Sequence, residues 1–496
     1  MRAHHFLADI NCVICLLFQK TQENTFLSQH DCEKLTQILI EEERMGDDRN
    51  IDFVLRTVEK RGIRFVRLWF TDVLGKLKSF SIASEDLEEA FEEGVGFDGS
   101  AVEGFVPQEE SDMLAFPDPT TFQILPWRHS ENDGVARIIC DIKTPHRNPF
   151  EGDPRSCLRR VFAEAESKGY ILNVGPKIEY FYFDRSNVDG SLLPKSLDTA
   201  GYFDLTASDS STDLRRSTTL MLERMSIPIQ YSYHAPAPSQ NSVELRYTEA
   251  ISCADNIMTA RLVIRQQAFD NNLIASFMPK PSTEVSGSGM FLYQSLFDKE
   301  GNNLFWAPKK ENIAHLTPLA QHYVAGLLRY APEFMLITNP TVNSYKRLVA
   351  NGEVPVYTTW GRKNRSALVR VPTHKPGKHQ STRIELRNPD PTANPYLALA
   401  ISLAAGMRGI EEELPLAPEA PMKLDTLSLA EQKAAGIHRL PKNLGDAIDL
   451  FEQSDFCRGV LGDHLFEYLL KEKRREWDEY CSIVTDWERK KCYVGV

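Results

Sequence analysis

Apolar positions along the chain repeat in two rhythms, and the rhythm changes mark the elements. After a helix-like stretch from Ile51, the apolar run RFVRLWFTD (64–72) meets LKSFSI (77–82) across Gly75. Two such runs about a glycine turn predict a hairpin. SEDLEEAFEEG, with Ser81 and Ser84 at its start and Gly94 at its end, predicts a short capped helix, and TTFQILPW and VARIICDIKT predict two more strands. Strand, strand, helix, strand, strand predicts an α+β domain with its own sheet, placed at 49–150. Residues 1–48 read as an N-terminal helical extension that ends in the polar stretch 41–49.

Beyond residue 150 the two periods alternate. PRSCLRRVFAEAESKG opens on Pro154 and stops at Gly169, as a helix does. Strands are predicted in ILNVGPKIEYFYFD, SVELRYT, ASFMPKP, GMFLYQSLFD, ALVRVP and TRIELRNP. Helices are predicted in STDLRRSTTLMLERM, ADNIMTARLVIRQQAFDN, LTPLAQHYVAGLLRYAPEF and NPYLALAISLAAGMRGIEE. This is a large α/β domain over 151–496. Several of its strands carry charge on one face and apolar residues on the other, so the sheet encloses something polar.

Composition narrows the function classes. The 496 residues are 42% hydrophobic and 25% charged, ordinary for a globular chain able to bury a large core without disulfides. A net charge of −12 argues against nucleic acid or an anionic membrane surface as partner. No run of eighteen apolar residues occurs, and the short run Val13–Phe18 is too weak for a secretion signal. The nine cysteines are scattered, and Cys12-x-x-Cys15 has no second pair beside it. These features predict reduced thiols and a cytoplasmic location.

Two regions carry candidate chemistry. In GPKIEYFYF the period of two puts Lys177, Glu179, Phe181 and Phe183 on one face and Ile178, Tyr180 and Tyr182 on the other. Further on, Lys346, Arg347, Arg362, Lys363, Arg365 and Arg370 are followed by TRIELR, where Arg383, Glu385 and Arg387 share a face. Guanidinium forks converging from three segments suit carboxylate and phosphate oxygens, which they bind bidentately. The glycine-rich SGSGM (286–290) is a weak signal for close ligand approach.

The motifs FDGSAVEGF, ESDM, NVGPKIEYF, GYFDL, APSQNSVELRY, SGSGM, NSYKRL, NRSALVRVP and RIELRNPDPTANPYLA stand in the order and spacing of bacterial class I glutamine synthetases, which the chain resembles from about residue 50 to 490. The resemblance implies a small N-terminal β-grasp domain, a larger catalytic α/β domain, and ATP and glutamate as ligands. It also implies a homo-oligomer, a dodecamer of two stacked hexameric rings. It matches Asp98 to the family's ammonium-site aspartate, offered by a neighbouring subunit, with Ser100 and Asp112 beside it. Glu353 falls at the flap glutamate that closes the site and accepts a proton. Arg347 and Arg387 match holders of carboxylate and phosphoryl oxygens, while Arg365, Arg370 and Arg383 match nucleotide-phosphate and transition-state ligands. Ser286 and Gly287 occupy the substrate loop, and Tyr202 lies near the substrate.

The family's metal cage is where the chain departs. Of six ligand positions for two divalent ions, Glu179 and Glu385 remain, while Lys177, Ala235, Ser242 and Phe291 fill the others. Alanine and phenylalanine offer magnesium nothing, so Mg²⁺ or Mn²⁺ binding is expected to be poor. A lysine ammonium beside Glu179 and Glu385 would neutralise carboxylates that otherwise need a metal. On these losses the sequence reading favours a pseudoenzyme with a structural, regulatory or ligand-sensing role. Its alternative, favoured by the retained Asp98, Glu353 and arginines, is an active ATP-dependent glutamate–ammonia or glutamate–amine ligase working through γ-glutamyl phosphate with altered metal use or amine substrate, retaining one unusual metal or using Lys177.

Overall fold

A computed structural model describes residues 48–105, 111–128, 134–185, 196–205, 211–308, 313–349, 354–373, 377–420, 428–434 and 436–493. The chain forms two compact units: 69 and earlier, 79–95 and 115–140 make the first, and 70–78, 96–114 and 141 onward the second.

The N-terminal sheet holds β1 (Ile63–Thr71), β2 (Leu77–Ala83), β3 (Val95–Asp98), β4 (Asp112–Pro117), β5 (Gln123–Ile124) and β6 (Gly134–Lys143). Their order is β2-β1-β6-β4-β3, with β5 also on β6. β1 and β6 run parallel, with Val66 opposite Ala136 and Leu68 opposite Ile138, all four fully buried. The β1–β2 turn is closed by Asp72, whose side chain accepts from the Lys76 N–H, and by Gly75 at φ +83°. Helix Leu87–Glu93 ends where expected, at Gly94 in a positive-φ conformation. TTFQILPW yields only a two-residue strand. Pro126 follows within two residues, and a proline cannot donate to a ladder.

The second sheet has β7 (Ile171–Asp184), β8 (Ile229–His234), β9 (Gln240–Leu245), β10 (Thr248–Glu249), β11 (Leu273–Ser276), β12 (Met290–Phe297), β13 (Tyr357–Gly361), β14 (Ala367–Arg370) and β15 (Ile384–Leu386). Their order is β13-β14-β15-β12-β7-β9-β8, and β10 and β11 also pair with β7. The unexpected strands β8 and β13 lie at the two ends of that order. IQYSYH alternates Ile229, Tyr231 and Tyr233 with polar residues, but three of its six residues are exposed, so the alternation marks no buried face.

Three long helices, Pro154–Ser167, Pro318–Thr338 and Pro395–Glu411, begin alike. Asp153, Thr317 and Asn394 cap backbone N–H groups with their side chains, and a proline follows at the first helical position. The last two cross closely because Gly326 and Gly409 lie at the crossing. A Cβ on Gly326 would sit 2.1 Å from the Ala405 carbonyl, and one on Gly409 2.2 Å from that of His322. Helix Ala250–Asp270 is tied in by a buried fork: Arg155 donates to both oxygens of Asp255 at 3.1 and 2.9 Å, and the Tyr396 hydroxyl donates to the same carboxylate at 2.6 Å.

Candidate active site

The candidate side chains come together through strand register. Lys177 on β7 is opposite Phe291 on β12 and Glu244 on β9, and Glu179 is opposite Ser242. Tyr293 on β12 is opposite Glu385 on β15, which is opposite Arg370 on β14. Because side chains alternate, one sheet face carries Arg370, Glu385, Tyr293, Phe291, Lys177, Glu179, Ser242 and Glu244. The other face buries Ile178, Tyr180, Tyr182, Leu292 and Leu386. The face assignment made from GPKIEYFYF holds.

Each retained carboxylate is engaged on both oxygens. Lys177 Nζ lies 2.9 Å from Glu179 Oε1, and Glu179 Oε2 accepts the Gly289 N–H at 2.9 Å. Glu385 accepts from Arg387 Nη1 at 2.6 Å and from Arg370 Nη1 at 3.1 Å. Burial works against the Lys177 ammonium, but the neighbouring Glu179 outweighs it, and the lysine pKa is raised above its ordinary value. The 2.9 Å ion pair with Glu179 thus favours the charged form of Lys177.

Phe291, at a position where the resemblance implies a metal ligand, presents a ring that three cations surround. Lys177 Nζ is 4.7 Å from its centroid, Arg387 Cζ 5.0 Å and Arg347 Cζ 5.8 Å. Such contacts contribute about 0.5–2 kcal/mol each, more where water is excluded. Arg347 is further held by carbonyls: it donates to Asn388 O at 2.8 Å and to Arg387 O at 3.1 Å. The SGSGM glycines have their reason here. A Cβ on Gly289 would lie 2.6 Å from Arg347 Nη2 and 2.9 Å from the Phe291 ring, and one on Gly287 2.3 Å from the Pro279 carbonyl. The loop's smallness serves the packing of Arg347 and Phe291.

The remaining expected residues are placed as follows. Arg383 is half-buried, with its guanidinium 5.1 Å from the Tyr293 ring and 5.9 Å from the Tyr247 ring. Tyr202 is exposed, stacks on Phe203 at 4.0 Å and meets Tyr233 edge-on at 5.7 Å, so it reaches the Lys177 side of the pocket through Tyr233. Asp98 is exposed at the end of β3 and accepts from the Ser100 N–H and hydroxyl. The hydroxyl bond first, then the backbone bond, holds its carboxyl below the usual range. Asp112, Ser286 and Arg365 are exposed. Ala235 and Ser242 are buried. Glu353 lies outside the described residues, as do Cys12 and Cys15.

Sequence reasoning missed Glu244, Tyr247 and the aromatic role of Tyr233 and Tyr293. Tyr233 donates to Glu244 Oε1 at 3.2 Å. Burial pushes the Tyr233 phenol up to about 12 and raises the Glu244 carboxyl. The signal was available: Glu244 follows Ser242 by two residues and so shares its face. His234, beside the lost ligand position 235, turns the other way, with Nε2 3.1 Å from Asp198 Oδ1 in a fully buried pair.

These donors do not fit two divalent ions. Magnesium asks for hard oxygens in near-octahedral array. Here both oxygens of Glu179 and Glu385 face an ammonium, a backbone N–H or a guanidinium, and Phe291 and Ala235 have no donor. Among the described residues no three His, Cys, Asp or Glu side chains group as a metal would require. What the row offers instead is fixed, largely buried positive charge on one sheet face.

Comparison with known proteins bears on what that pocket does. Residues 62–145 match the family model described as "Glutamine synthetase, beta-Grasp domain", and 151–492 match "Glutamine synthetase, catalytic domain". A glutamine synthetase of Mycolicibacterium smegmatis is 47% identical over 444 residues, 89% of this chain and 99% of that one. One from Methanosarcina mazei is 44% identical over 435 residues, 88% of this chain and 96% of that one. The solved "GmaS/ADP complex-Conformation 1" superposes with a TM-score of 0.79 at 29% identity, covering 89% of this chain and 99% of that one. The β-grasp and catalytic architecture thus stands. The expectation of a pseudoenzyme is overturned, since relatives this similar along almost their whole length bear an enzyme's name. The physical weight given to the lost ligands was too great. Phosphoryl transfer depends on positioning and electrostatic stabilisation, and the arginines and Lys177 supply charge of the required sign.

Proposed function

Since the chain belongs to the glutamine synthetase family, we propose that it is an active ATP-dependent ligase joining the γ-carboxylate of glutamate to ammonia or a small amine. The observation that carries this reading is identity of 44–47% to glutamine synthetases across 88–89% of the chain. The geometry supports it with cations gathered on one sheet face.

In this reading a γ-carboxylate oxygen of glutamate attacks the γ-phosphorus of ATP, and the bond to ADP breaks. The amine nitrogen then attacks the γ-carbonyl carbon of the acyl phosphate. The amine's cation must first give a proton to Glu353 to free the lone pair for this attack; phosphate then leaves with the former carboxylate oxygen, and the second proton lost by nitrogen goes to the departing phosphate. Arg370 and Arg387, aligned by Glu385, hold the phosphoryl and carboxylate oxygens, and Arg347 fixes the backbone of 387–389 that carries Arg387. Arg365 and Arg383 face nucleotide phosphates, Ser286, Gly287 and Tyr202 border glutamate, Asp98 attracts the amine as its cation, and Glu353 takes the proton. The same reading gives ATP as co-substrate, a ring-shaped homo-oligomer of twelve chains, and a cytoplasmic location. No helix among the described residues is long and apolar enough to cross a membrane.

The test is ADP release and product mass with glutamate, ATP and a panel of ammonia, methylamine, ethanolamine and diamines. One acceptor is expected to give stoichiometric γ-glutamyl amide and ADP. ADP release without amide, or neither with any acceptor, sinks the reading.

A further inference from the structure

The row of side chains that fails as a metal cage succeeds as an anion site. Lys177, Arg347, Arg370 and Arg387 bring four positive charges to one face, against the two carboxylates Glu179 and Glu385. Glu244 and Asp390, which faces Arg347, bring the carboxylates to four, and Arg383 over the Tyr293 ring brings the cations to five, leaving an excess of one. The cations are held in place before any ligand arrives. Lys177 is fixed by Glu179, by the Phe291 ring at 4.7 Å and by the Tyr233 ring at 5.7 Å. Arg347 is fixed by carbonyls, and Arg387 by Glu385. Preorganised charge of this kind stabilises an anion without reorganising as charge develops. A divalent ion at Glu179 would have to displace Lys177 from Oε1 or the Gly289 N–H from Oε2. One at Glu385 would have to displace Arg387 or Arg370.

We propose that Lys177 is the resident cation of this pocket, neutralising Glu179 in place of a divalent ion, so that the site holds carboxylate and phosphoryl oxygens with no metal bound to Glu179 or Glu385. The proposal rests on the ligase reading for the identity of the anions but not for the state of the cation site. Lys177 acts by its charge on Glu179 and through the Phe291 ring it shares with Arg387, and so is a positioning residue for Arg387 and the ligand it meets.

Two measurements on the full-length chain test it, and neither needs turnover. In the first, Mn²⁺ alone is titrated and followed by electron paramagnetic resonance. The native chain is expected to bind none in this pocket. The variant Lys177→Glu/Ala235→Glu/Phe291→His, which restores oxygen and nitrogen donors, is expected to gain at least one ion per chain. In the second, ATP binding is measured by calorimetry in excess EDTA and in Mg²⁺. The native affinities are expected to agree within about threefold, and Lys177→Met to weaken binding in EDTA by at least about tenfold, because an unpaired buried carboxylate then faces the phosphates. The charge-neutral Lys177→Met/Glu179→Gln variant is expected to recover most of that loss, and it covers the case in which Lys177→Met fails to fold. Mn²⁺ bound to the native chain and lost on Glu179→Gln or Glu385→Gln overturns the proposal. So does absence of ATP binding in EDTA. If both measurements come out as expected while no acceptor yields an amide, the ligase reading fails alone. Amide formation by a chain that carries Mn²⁺ on Glu179 spares that reading and removes this one.

Discussion

At the scale of single residues, the pocket is governed by what each charge has for company. Glu385 is buried at 3% exposure and would be costly alone, yet two guanidinium groups share it. Those two groups differ in depth. Arg387 is buried, whereas the Arg370 side chain is 30% exposed and more available to a ligand. Arg370→Gln is therefore expected to separate chemistry from folding. Arg387 still neutralises Glu385 in that variant, so the urea midpoint stays close to native. The kcat/KM for amide formation falls by about 100- to 1000-fold, the range seen when one preorganised donor to a developing charge is removed. A large loss of stability with unchanged kcat/KM would assign Arg370 to the fold alone.

Among the elements, the helix starts show how local sequence and burial act together. Asp-Pro at the head of Pro154–Ser167 is a start signal, and Asp153 accepts from the N–H groups of Arg155 and Ser156. The same carboxylate is fully buried. Burial first, then the nearby Asp141, pushes its pKa up to about 6, from an ordinary 3.8. A carboxyl that binds its proton more tightly folded than unfolded favours the folded state at low pH. That contribution declines as pH rises from about 3.8 to 6. Asp153→Asn keeps a cap acceptor and removes the ionisation. The variant is expected to lose this decline, so its stability relative to native improves by about 1–3 kcal/mol between pH 4 and pH 7. Urea melts at the two pH values check this, and a relative stability independent of pH would show that Asp153 stays ionised without penalty. Elsewhere the elements were less legible. β8 is half exposed at one end of the sheet order, β13 at the other end is the short, largely buried YTTWG with two threonines and a glycine and so no strand period to read, and β5 is cut short by Pro126.

For the whole molecule, the balance of charge and the state of the thiols are the global properties at issue. A chain of net charge −12 still sets several cations on one sheet face, an arrangement that suits small anions and not an extended nucleic-acid backbone. The structure describes six of the nine cysteines. Cys140, Cys157, Cys253 and Cys457 are buried, and Cys481 and Cys492 are exposed. Burial pushes the Cys157 thiol up to about 11 and that of Cys457 up to about 12. Since the thiolate is the reactive form, these groups are inert in the folded chain. Peptide mapping after brief iodoacetamide labelling is expected to find Cys481 and Cys492 modified, with Cys157, Cys253 and Cys457 modified only after unfolding. Rapid native labelling of Cys253 would contradict the buried core described for helix Ala250–Asp270.

The sequence by itself determined the periods, the caps and the alternation of faces. These follow from backbone geometry, which repeats every 3.6 residues in a helix and every two in a strand. From them came the long helices, the central strand with Lys177 and Glu179 on one side, and the shared face of Arg383, Glu385 and Arg387. Motif spacing added the family. Tertiary structure alone decided which faces meet. Register set Phe291 against Lys177 and Glu385 against Arg370, and brought Glu244 into the row. The meaning of each substitution depended on that meeting. Read singly, Lys177 and Phe291 are two lost ligands. Placed opposite one another, they are a cation and the ring that holds it, because the free energy of a charge is fixed by its neighbours in space and not by its position along the chain.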